Sequence, residues 1–465
     1  MGKPRILLVS LGCAKNTVDT RSMAALLHRA GYEETDEQSR ADVLLVNTCG
    51  FIGPAKEESL GILRQLAEAK RPGQLLLAAG CLTQRYGALL LQQAPGIDGL
   101  LGTRRWMDVV EVVQAMRRGK QPEPVYDLPG SATVGADERG VTRVAVQGAS
   151  AYLKIADGCR RPCAFCAIPL IKGTAVSRPV ERVISDARRL AEQGVRELVL
   201  IAQDTTDYGH DIGLRDGLAR LLEQMEREAP AVDWIRILYA YPGYVTDRLI
   251  DVMAGSRRIL HYLDMPLQHA HPDVLRRMRR PAKIEWVYRT IEKMRGVMPD
   301  LALRTTFLVG YPGETDAEYE RLLRFVEEIR FDRLGVFCFS FEPGTASESL
   351  GDPVPEHVKE ERRDRLMALQ QRISLGRHQA LVGSTLSVLI EGKGEGLSLG
   401  RSYRDAPEID GLVLVQGDVA LGEMIPVRID GALPYDLTGV PVGPVAAGMG
   451  RDRSLIGPLP ADTHP

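Results

Sequence analysis

Short apolar runs alternate with amphipathic segments over the first 145 residues. The runs 6–9, 43–46 and 75–78 are apolar throughout, whereas the segments 17–30 and 55–70 carry apolar residues at three- and four-residue intervals. Apolar strands separated by amphipathic helices are typical of a doubly wound parallel sheet, because helices cover both faces of such a sheet. We therefore predict an N-terminal doubly wound α/β domain over residues 1–145.

A second alternating pattern begins near residue 150. Its six strand-like runs lie at 152–156, 197–202, 234–239, 262–267, 302–309 and 335–341, and helical patterns separate most of them, at 180–193, 216–228, 284–297 and 316–329. Six consecutive βα units predict a partial (β/α)6 barrel over residues 146–380. Functional groups are expected at the carboxyl ends of its strands.

The chain changes character twice after the barrel pattern. A highly charged helical segment, 356–377, predicts a solvated connector, and four short runs separated by Gly and Pro follow between residues 384 and 429. Such runs are typical of a small antiparallel β-barrel, which we place at 381–441. The Gly- and Pro-rich tail, 442–465, is predicted to be disordered.

Composition and charge narrow the class of protein. The chain has 465 residues, 44% apolar and 26% charged, with a net charge of −2, so no field of the whole protein attracts nucleic acid or membrane. No apolar run reaches the roughly 18 residues that a membrane span needs. Seven cysteines, an odd number scattered over a long chain, argue against a disulfide framework. A cytoplasmic location is expected.

Three cysteines stand together in the loop after the first strand of the barrel pattern. Cys159, Cys163 and Cys166 have the spacing C-x3-C-x2-C, and soft thiolates select zinc, copper or iron–sulfur clusters. A structural zinc site needs a fourth ligand, but the nearest downstream histidine, His210, lies beyond a predicted helix and strand. The pattern favours a 4Fe-4S cluster with one open iron. A thioredoxin-like pair and a partial zinc knuckle are the alternatives.

Three further cysteines follow the three N-terminal strands. Cys13, Cys49 and Cys81 each fall a few residues past a predicted strand end. Because the carboxyl ends of parallel strands form the ligand crevice of such sheets, these thiols can meet at one point. We interpret them as the ligands of a second cluster. Three separate, inert core thiols are the alternative.

The C-x3-C-x2-C loop, with Phe165 directly before its last cysteine, resembles that of the radical S-adenosylmethionine (SAM) enzymes. In that superfamily the open iron is chelated by the amino and carboxylate groups of SAM. The resemblance implies that SAM contacts come from residues after the barrel strands. The predicted set is Phe165, Gln203, Asp204, Gln268, Gly310 and Glu314.

Each of these SAM contacts has an ordinary structural alternative. The segment Gly-Tyr-Pro-Gly-Glu-Thr, 310–315, can be a turn and a helix N-cap, and Asp204 can cap a loop. His269 and His271 lie close together in a loop, but they are left out of the ligand set because such histidines are usually structural or solvated. Cys338 lies in an apolar run and is expected in the core.

The two cysteine groups together resemble those of the methylthiotransferases, radical SAM enzymes with an N-terminal three-cysteine domain. The family's three cysteine motifs are similar to Gly-Cys-Ala-Lys-Asn-Thr-Val-Asp at 12–19, Asn-Thr-Cys-Gly-Phe-Ile at 47–52 and Ala-Gly-Cys-Leu at 79–82. The second is similar to the branch that modifies ribosomal protein S-twelve, whereas branches that act on transfer RNA typically carry a Ser-containing variant. The resemblance extends to about residue 440. One departure is Lys172, where relatives often have Arg.

The C-terminal barrel resembles the TRAM module, an accessory barrel often used for RNA binding. Nine acidic and four basic residues between Leu381 and Val440 give it a charge of −5. Phosphate binding needs Lys and Arg, so direct RNA binding is not expected, whereas a basic ribosomal protein fits. A solvated acidic surface without a partner is the alternative. Glu342, where relatives that modify transfer RNA tend to have Arg, agrees with a protein substrate.

The resemblance implies a specific reaction. An electron, from a donor such as flavodoxin or ferredoxin, reaches the cluster at Cys159, Cys163 and Cys166 and cleaves SAM to a 5′-deoxyadenosyl radical. That radical takes a hydrogen from the β-carbon of an aspartate in ribosomal protein S-twelve, and the cluster at Cys13, Cys49 and Cys81 delivers a methylthio group. No catalytic residue beyond the cluster ligands is predicted. The alternatives are methylthiolation of an adenosine of transfer RNA, and a non-enzymatic iron–sulfur electron carrier or scaffold.

Overall fold

A computed structural model describes residues 2–118, 124–128, 130–131, 133–135 and 138–443. Most of the tail that we predicted to be disordered, 444–465, lies outside the described residues. Three sheet systems follow one another along the chain, and a short two-stranded ribbon accompanies the second. In the described part of the chain, no helix is both long enough and apolar enough to cross a membrane.

The N-terminal system is a parallel sheet between two helical layers. Its strands are β1 (Arg5–Ser10), β2 (Glu33–Glu34), β3 (Val43–Thr48), β4 (Leu75–Gly80), β5 (Gly99–Gly102) and β6 (Val125–Asp127). Its helices are α1 (Ala14–Arg29), α2 (Gly53–Glu68), α3 (Cys81–Tyr86), α4 (Leu89–Gln93) and α5 (Val109–Arg118). The strand order is β2-β1-β3-β4-β5-β6, and apolar residues on both faces are buried. The predicted doubly wound sheet is confirmed.

The central system is a curved sheet of seven strands. They are β7 (Val144–Gln147), β8 (Ser150–Lys154), β11 (Glu197–Ile201), β12 (Trp234–Ile237), β13 (Ile259–Asp264), β14 (Ala302–Val309) and β15 (Arg333–Cys338), and the short pair β9 (Ala156–Asp157) and β10 (Val176–Ser177) stands beside them. The strand order is β15-β14-β13-β12-β11-β8-β7. All neighbours pair in parallel except β7, which is antiparallel to β8. Six parallel strands confirm the partial barrel.

Seven helices belong to the central sheet. They are α6 (Ile168–Lys172), α7 (Val180–Glu192), α8 (Gly217–Glu228), α9 (Asp247–Gly255), α10 (Pro272–Arg277), α11 (Ile284–Val297) and α12 (Asp316–Ile329). The strand predicted at 262–267 begins three residues earlier, because the polar His261 interrupts the apolar run from which its start was read.

The predicted solvated connector is wrong in one respect. Helix α13 (Glu356–Gln379) is charged, but one of its faces is buried against β15 and α12. Lys359, Arg362, Leu366, Gln370 and Ile373 lie on that face. Long basic side chains bury their aliphatic stems and bring their charges to partners, so a highly charged helix can still be a packing element.

The C-terminal system is a closed barrel. Its strands are β16 (Thr385–Gly394), β17 (Leu397–Ser402), β18 (Val413–Gln416), β19 (Met424–Ala432) and β20 (Leu437–Pro441), in the order β16-β17-β18-β20-β19. The predicted small barrel is confirmed. Its last strand was missed because Gly439 and Pro441 interrupt a run that has only two large apolar residues.

The interior of the open central barrel is filled from both neighbours. Val18 of α1 is buried in one cluster with Tyr152 and Val199 of the central sheet, and Leu389 and Ala406 of the C-terminal barrel complete the same cluster. The three sheet systems therefore share one apolar core at this point, and α1 belongs to two of them.

Only some of the acidic residues of the C-terminal barrel are free of contacts with the central sheet. Four of its nine acidic residues contact side chains of the central sheet: Glu391 bonds Ser150, Asp405 pairs with Arg333, Glu408 bonds Tyr152, and Asp410 bonds Tyr262. Glu395, Asp418, Glu423 and Asp430 are exposed. The sum of −5 therefore overstates the acidic charge that is available to a partner, although an exposed acidic set persists.

A buried arginine–glutamate–arginine group joins the C-terminal barrel to the central sheet. Glu197 accepts hydrogen bonds from Arg236, with Nε to Oε1 at 2.7 Å, and from Arg401. Burial alone would raise the pKa of Glu197, but Arg401 and Arg236 outweigh it and lower the pKa to about 2. The carboxylate is therefore charged throughout the ordinary pH range.

We expect Glu197→Gln to destabilise the protein by about 3 kcal/mol at pH 7 and to weaken its acid sensitivity. Since the folded pKa lies below the unfolded one, this stabilisation is complete above about pH 5 and is lost as the pH falls towards 2. Urea unfolding at several pH values checks this. A difference between wild type and variant that is the same at pH 7 and pH 3 would contradict it.

Candidate metal centres between two sheets

The three N-terminal cysteines meet at one edge of their sheet. Cys13 is the N-cap of α1, Cys49 follows β3, and Cys81 is the first residue of α3. Two glycines permit the close approach of their loops. A Cβ on Gly12 would lie 2.9 Å from the Sγ of Cys49, and a Cβ on Gly50 would lie 2.6 Å from the Cα of Leu82.

Asn16, which the sequence analysis did not single out, connects the three cysteine loops. Its Nδ2 donates hydrogen bonds to the carbonyl oxygens of Leu11 and Thr48, both at 3.0 Å. Its Oδ1 accepts from the Sγ of Cys81 at 3.6 Å. The asparagine lies within the motif 12–19, three residues after Cys13, and this position was the signal in the sequence that could have identified it.

The electrostatics of this group suit a bound cation. Burial, with a smaller contribution from the nearby thiols of Cys13 and Cys49, raises the pKa of Cys81 to about 12, although Lys172 acts in the opposite direction. Burial also raises the pKa of Cys49, and Cys13 adds to the effect. Without a metal the thiols of Cys49 and Cys81 keep their protons at neutral pH, whereas a cationic centre stabilises thiolates.

The second cysteine group lies in the loop between β9 and α6. Burial raises the pKa of Cys159 to about 11 and that of Cys166 to about 12, and the thiol of Cys163 raises both. Arg280 places its Nη1 3.3 Å from the Sγ of Cys163, and the hydroxyl of Tyr241 lies 3.7 Å from the same sulfur. Three thiols in one short loop, flanked by the guanidinium of Arg280, fit an anionic iron–sulfur cluster.

Three of the residues predicted to contact SAM have side chains free to do so. Phe165 is half-buried and packs against Tyr311 and its neighbours. The Oε1 of Gln203 is buried and has no hydrogen-bond partner among the described residues. Gln268 has φ 73° and bridges to Phe307 of β14 through its backbone. An orphaned amide oxygen beside a cysteine loop fits an ammonium donor such as that of SAM.

The two predicted carboxylates already have protein partners. Asp204 accepts a hydrogen bond from the Nε of Arg161, in the cysteine loop, at 2.6 Å. Glu314 is fully buried and accepts from the Nη1 of Arg362 at 2.8 Å, with the Nε2 of His269 at 3.0 Å from its other oxygen. Both carboxylates therefore support the loops around the site.

Gly310 and the residues after it form a tight turn. Gly310 has φ 70°, and its backbone N–H donates to Glu314. A Cβ here would lie 2.3 Å from the Cγ of Lys359, so the buried face of α13 excludes a larger residue. Thr315 and Glu318 form a capping box at the start of α12.

The two cysteine groups lie on either side of one packing contact. Helix α3, which begins at Cys81, packs on α6, which follows Cys166. Cys81, Ala167 and Ile171 form one buried apolar cluster. The two candidate metal centres are therefore held to each other by direct contact between their supporting helices.

A buried group of five charges lies at the same interface. Asp19 of α1 pairs with Arg143, Lys154 and Lys172, and Asp157 pairs with the same three cations. Lys172, noted above for its departure from Arg, places its Nζ 3.0 Å from Asp19 and 2.9 Å from Asp157. Three cations and two carboxylates give the group an excess of one positive charge beside the N-terminal cysteines.

Glu342 has a structural partner that the sequence did not reveal. Its Oε2 lies 2.6 Å from the Nη1 of Arg85 on α3, and both side chains are 6% exposed. Arg85 also donates to the carbonyl oxygens of Gly50 and Pro343. Glu342 therefore ties the loop after β15 to the N-terminal sheet.

A partial barrel with a three-cysteine loop after its first parallel strand, joined to a three-cysteine parallel sheet and a small closed barrel, defines a multidomain radical SAM enzyme. The Radical SAM superfamily matches residues 153–326, the uncharacterized protein family UPF0004 matches 5–102, and the TRAM domain matches 382–442. Among solved structures, the radical SAM methyltransferase TsrM from Kitasatospora setae has a TM-score of 0.54 and 13% identity, covering 86% of this chain and 77% of its own. This likeness shows the fold alone.

Two named relatives align with almost the whole chain. The ribosomal protein uS12 methylthiotransferase RimO of Chloroflexus aurantiacus is 48% identical over 448 residues, covering 93% of this chain and 98% of that protein. The RimO of Roseiflexus sp. strain RS-1 is 46% identical over 453 residues, covering 93% and 96%. The chain belongs to the RimO family of methylthiotransferases.

Proposed function

We propose that this chain transfers a methylthio group to the β-carbon of an aspartate in ribosomal protein uS12, the S-twelve protein named above, by radical SAM chemistry. The observation that carries the proposal is the packing of Cys81 against Ala167 and Ile171, which brings two three-thiol groups to one interface. Transfer of a group from one centre to a radical formed at another requires such proximity. Membership of the RimO family agrees with it.

In this proposal each cysteine group holds one 4Fe-4S cluster. The cluster that binds SAM is held by Cys159, Cys163 and Cys166. The auxiliary cluster is held by Cys13, Cys49 and Cys81. When bound, the clusters and SAM supply the electron, the hydrogen-abstracting radical and the methylthio group. The chain supplies the thiolates, fixes the separation of the two centres and excludes water from between them.

The SAM contacts divide into two kinds. Gln203 offers its unpaired Oε1 to the ammonium of SAM. Phe165 lies in the cysteine loop and Gln268 follows β13, so both come after strands of the same barrel and are proposed to contact SAM as well. Asp204 and Glu314 act through other residues: Asp204 orients Arg161, and Glu314 fixes the turn at Gly310. These roles follow from which polar atoms have protein partners.

The proposal also includes the domain boundaries, the cellular location and the partners of the enzyme. The proposed domains are 1–145 for the auxiliary cluster, 146–380 for the radical SAM barrel and 381–441 for the TRAM-like barrel, except that Val144 and Ala145 belong to the barrel because β7 pairs with β8. The enzyme works in the cytoplasm with a low-potential donor such as flavodoxin or ferredoxin. Direct RNA binding is not expected, because the exposed charges of the C-terminal barrel include Glu395, Asp418, Glu423 and Asp430.

The test is an anaerobic assay of the reconstituted enzyme with SAM and dithionite. Either uS12 or unmodified transfer RNA is offered, and both are examined by mass spectrometry. We expect a methylthio mass gain on one aspartate of uS12 and none on the RNA. Modification of the RNA alone would assign the transfer RNA reaction, and no product on either substrate would overturn the proposal.

A further inference from the structure

Lys15, two residues after Cys13, reaches from the N-terminal sheet to the central barrel. Its Nζ lies 3.3 Å from the centroid of the Tyr239 ring, which stands two residues beyond the end of β12. This distance is within the range of a cation–π contact. The ammonium therefore stands at the carboxyl ends of the barrel strands and beside an auxiliary-cluster cysteine, where the two halves of the site meet.

Lys15 has no carboxylate partner within 4 Å among the described residues. Asp264, which accepts from the backbone N–H of Tyr239 at 3.1 Å, already pairs with Arg304 at 2.9 Å. Among the described residues, the side chain of Lys15 is therefore a half-buried ammonium without a counter-ion, which is an unfavourable arrangement unless an anion joins it.

Tyr239, whose ring lies beneath the Lys15 ammonium, is held rigidly. Tyr239 has φ 63°, a left-handed conformation that a bulky residue rarely adopts. Its N–H donates to Asp264, and its carbonyl oxygen accepts from the backbone N–H and the hydroxyl of Thr205, at 3.1 and 3.3 Å. Strained residues held from both sides collect at binding sites, where the strain fixes geometry.

We propose that Lys15 binds the side-chain carboxylate of the substrate aspartate and so determines specificity for an acidic side chain. The inference rests on the proposed function, because only an aspartate substrate brings this carboxylate. The reacting β-carbon is bonded directly to the carboxylate carbon, so an ion pair with Lys15 fixes its position between the two cysteine groups. A neutral residue in place of the aspartate leaves the ammonium without its counter-ion.

The test is a double-mutant cycle on binding. Wild type and Lys15→Met, both reconstituted with clusters and saturated with SAM but without reductant, are titrated with uS12 or with uS12 whose modified aspartate is replaced by asparagine. We expect wild type to bind the aspartate form about 10- to 100-fold more tightly than the asparagine form, and Lys15→Met to bind both alike. An aspartate preference of equal size in both enzymes would overturn the proposal.

Two further variants separate this role from others. Lys56→Met removes a second lysine that lies over an aromatic ring, 4.6 Å from the centroid of Tyr86, and should keep the aspartate preference. Lys15→Arg keeps the positive charge and should keep part of the preference for the aspartate form of uS12. Loss of auxiliary-cluster iron in both Lys15 variants would show that the lysine supports the cluster or the fold, and the proposal would fail. The proposal would also fail if Lys15→Arg kept its clusters but bound the aspartate and asparagine forms of uS12 alike. Methylthiolation of transfer RNA alone by wild type would instead refute the proposed function.

Discussion

Cys159→Ala is expected to abolish both SAM cleavage and methylthiolation, whereas Cys81→Ala should abolish methylthiolation and leave SAM cleavage measurable. The reason is the division of the six thiols into two groups, one in the loop between β9 and α6 and one at the edge of the N-terminal sheet. Loss of one of three thiolates leaves a cluster too poorly held to function. We expect product below about one-thousandth of the wild-type rate in both variants.

The measurement is parallel quantification of 5′-deoxyadenosine and of methylthiolated uS12, with iron analysis of each variant. Cys338→Ala is the matched control, because Cys338 is half-buried on β15 and belongs to neither cysteine group. It should retain both activities. Methylthiolated uS12 from Cys81→Ala would contradict the assignment of the auxiliary cluster.

Asp19→Asn is expected to lower the free energy of unfolding by about 3 to 5 kcal/mol. The carboxylate pairs with Arg143, Lys154 and Lys172, all buried. Its removal leaves Asp157 as the only acidic side chain that pairs with these three cations among the described residues. Those cations hold the pKa of Asp19 below its usual value although burial acts in the opposite direction. The loss is large because the cations stay buried while half of their compensation disappears.

Denaturant unfolding followed by circular dichroism and tryptophan fluorescence measures this loss. Trp106 is a suitable reporter, because the guanidinium of Arg143 lies 4.0 Å from its ring centroid. The double variant with Asp19→Asn and Lys172→Met restores the charge balance and should recover part of the stability. Glu33→Gln, in an exposed pair with Lys3, is the control and should change stability by less than about 1 kcal/mol. An equally small effect of Asp19→Asn would contradict the prediction.

The fold and the cysteine groups could be predicted from the sequence because their signals are local or periodic. Continuous apolar runs gave the parallel strands, and thiols placed just after those runs had to meet at one edge. Strand β7 was missed because it is short and antiparallel and lies across the boundary that we placed between the first two domains.

The partners of charged residues could not be predicted, since they come from distant parts of the chain. Asp204 pairs with Arg161, and Glu314 pairs with Arg362, across 43 and 48 residues. The sequence shows that these carboxylates follow barrel strands, but it does not show that arginines already occupy them. For the same reason the charge of the C-terminal barrel was summed without the partners of Asp405 and Asp410, which pair with Arg333 and Tyr262 of the central sheet.

Helix α1 has a consequence for protein engineering. It contributes Cys13 at its N-cap, Lys15 at the barrel mouth, Val18 inside the shared core and Asp19 in the buried charge group. A chimera joined at about residue 145 would therefore place a foreign helix against a native barrel wall. A chimera between family members must therefore take Tyr152, Lys154 and Lys172 from the same parent as the N-terminal domain. The segment that has to be exchanged as one piece is larger than one domain.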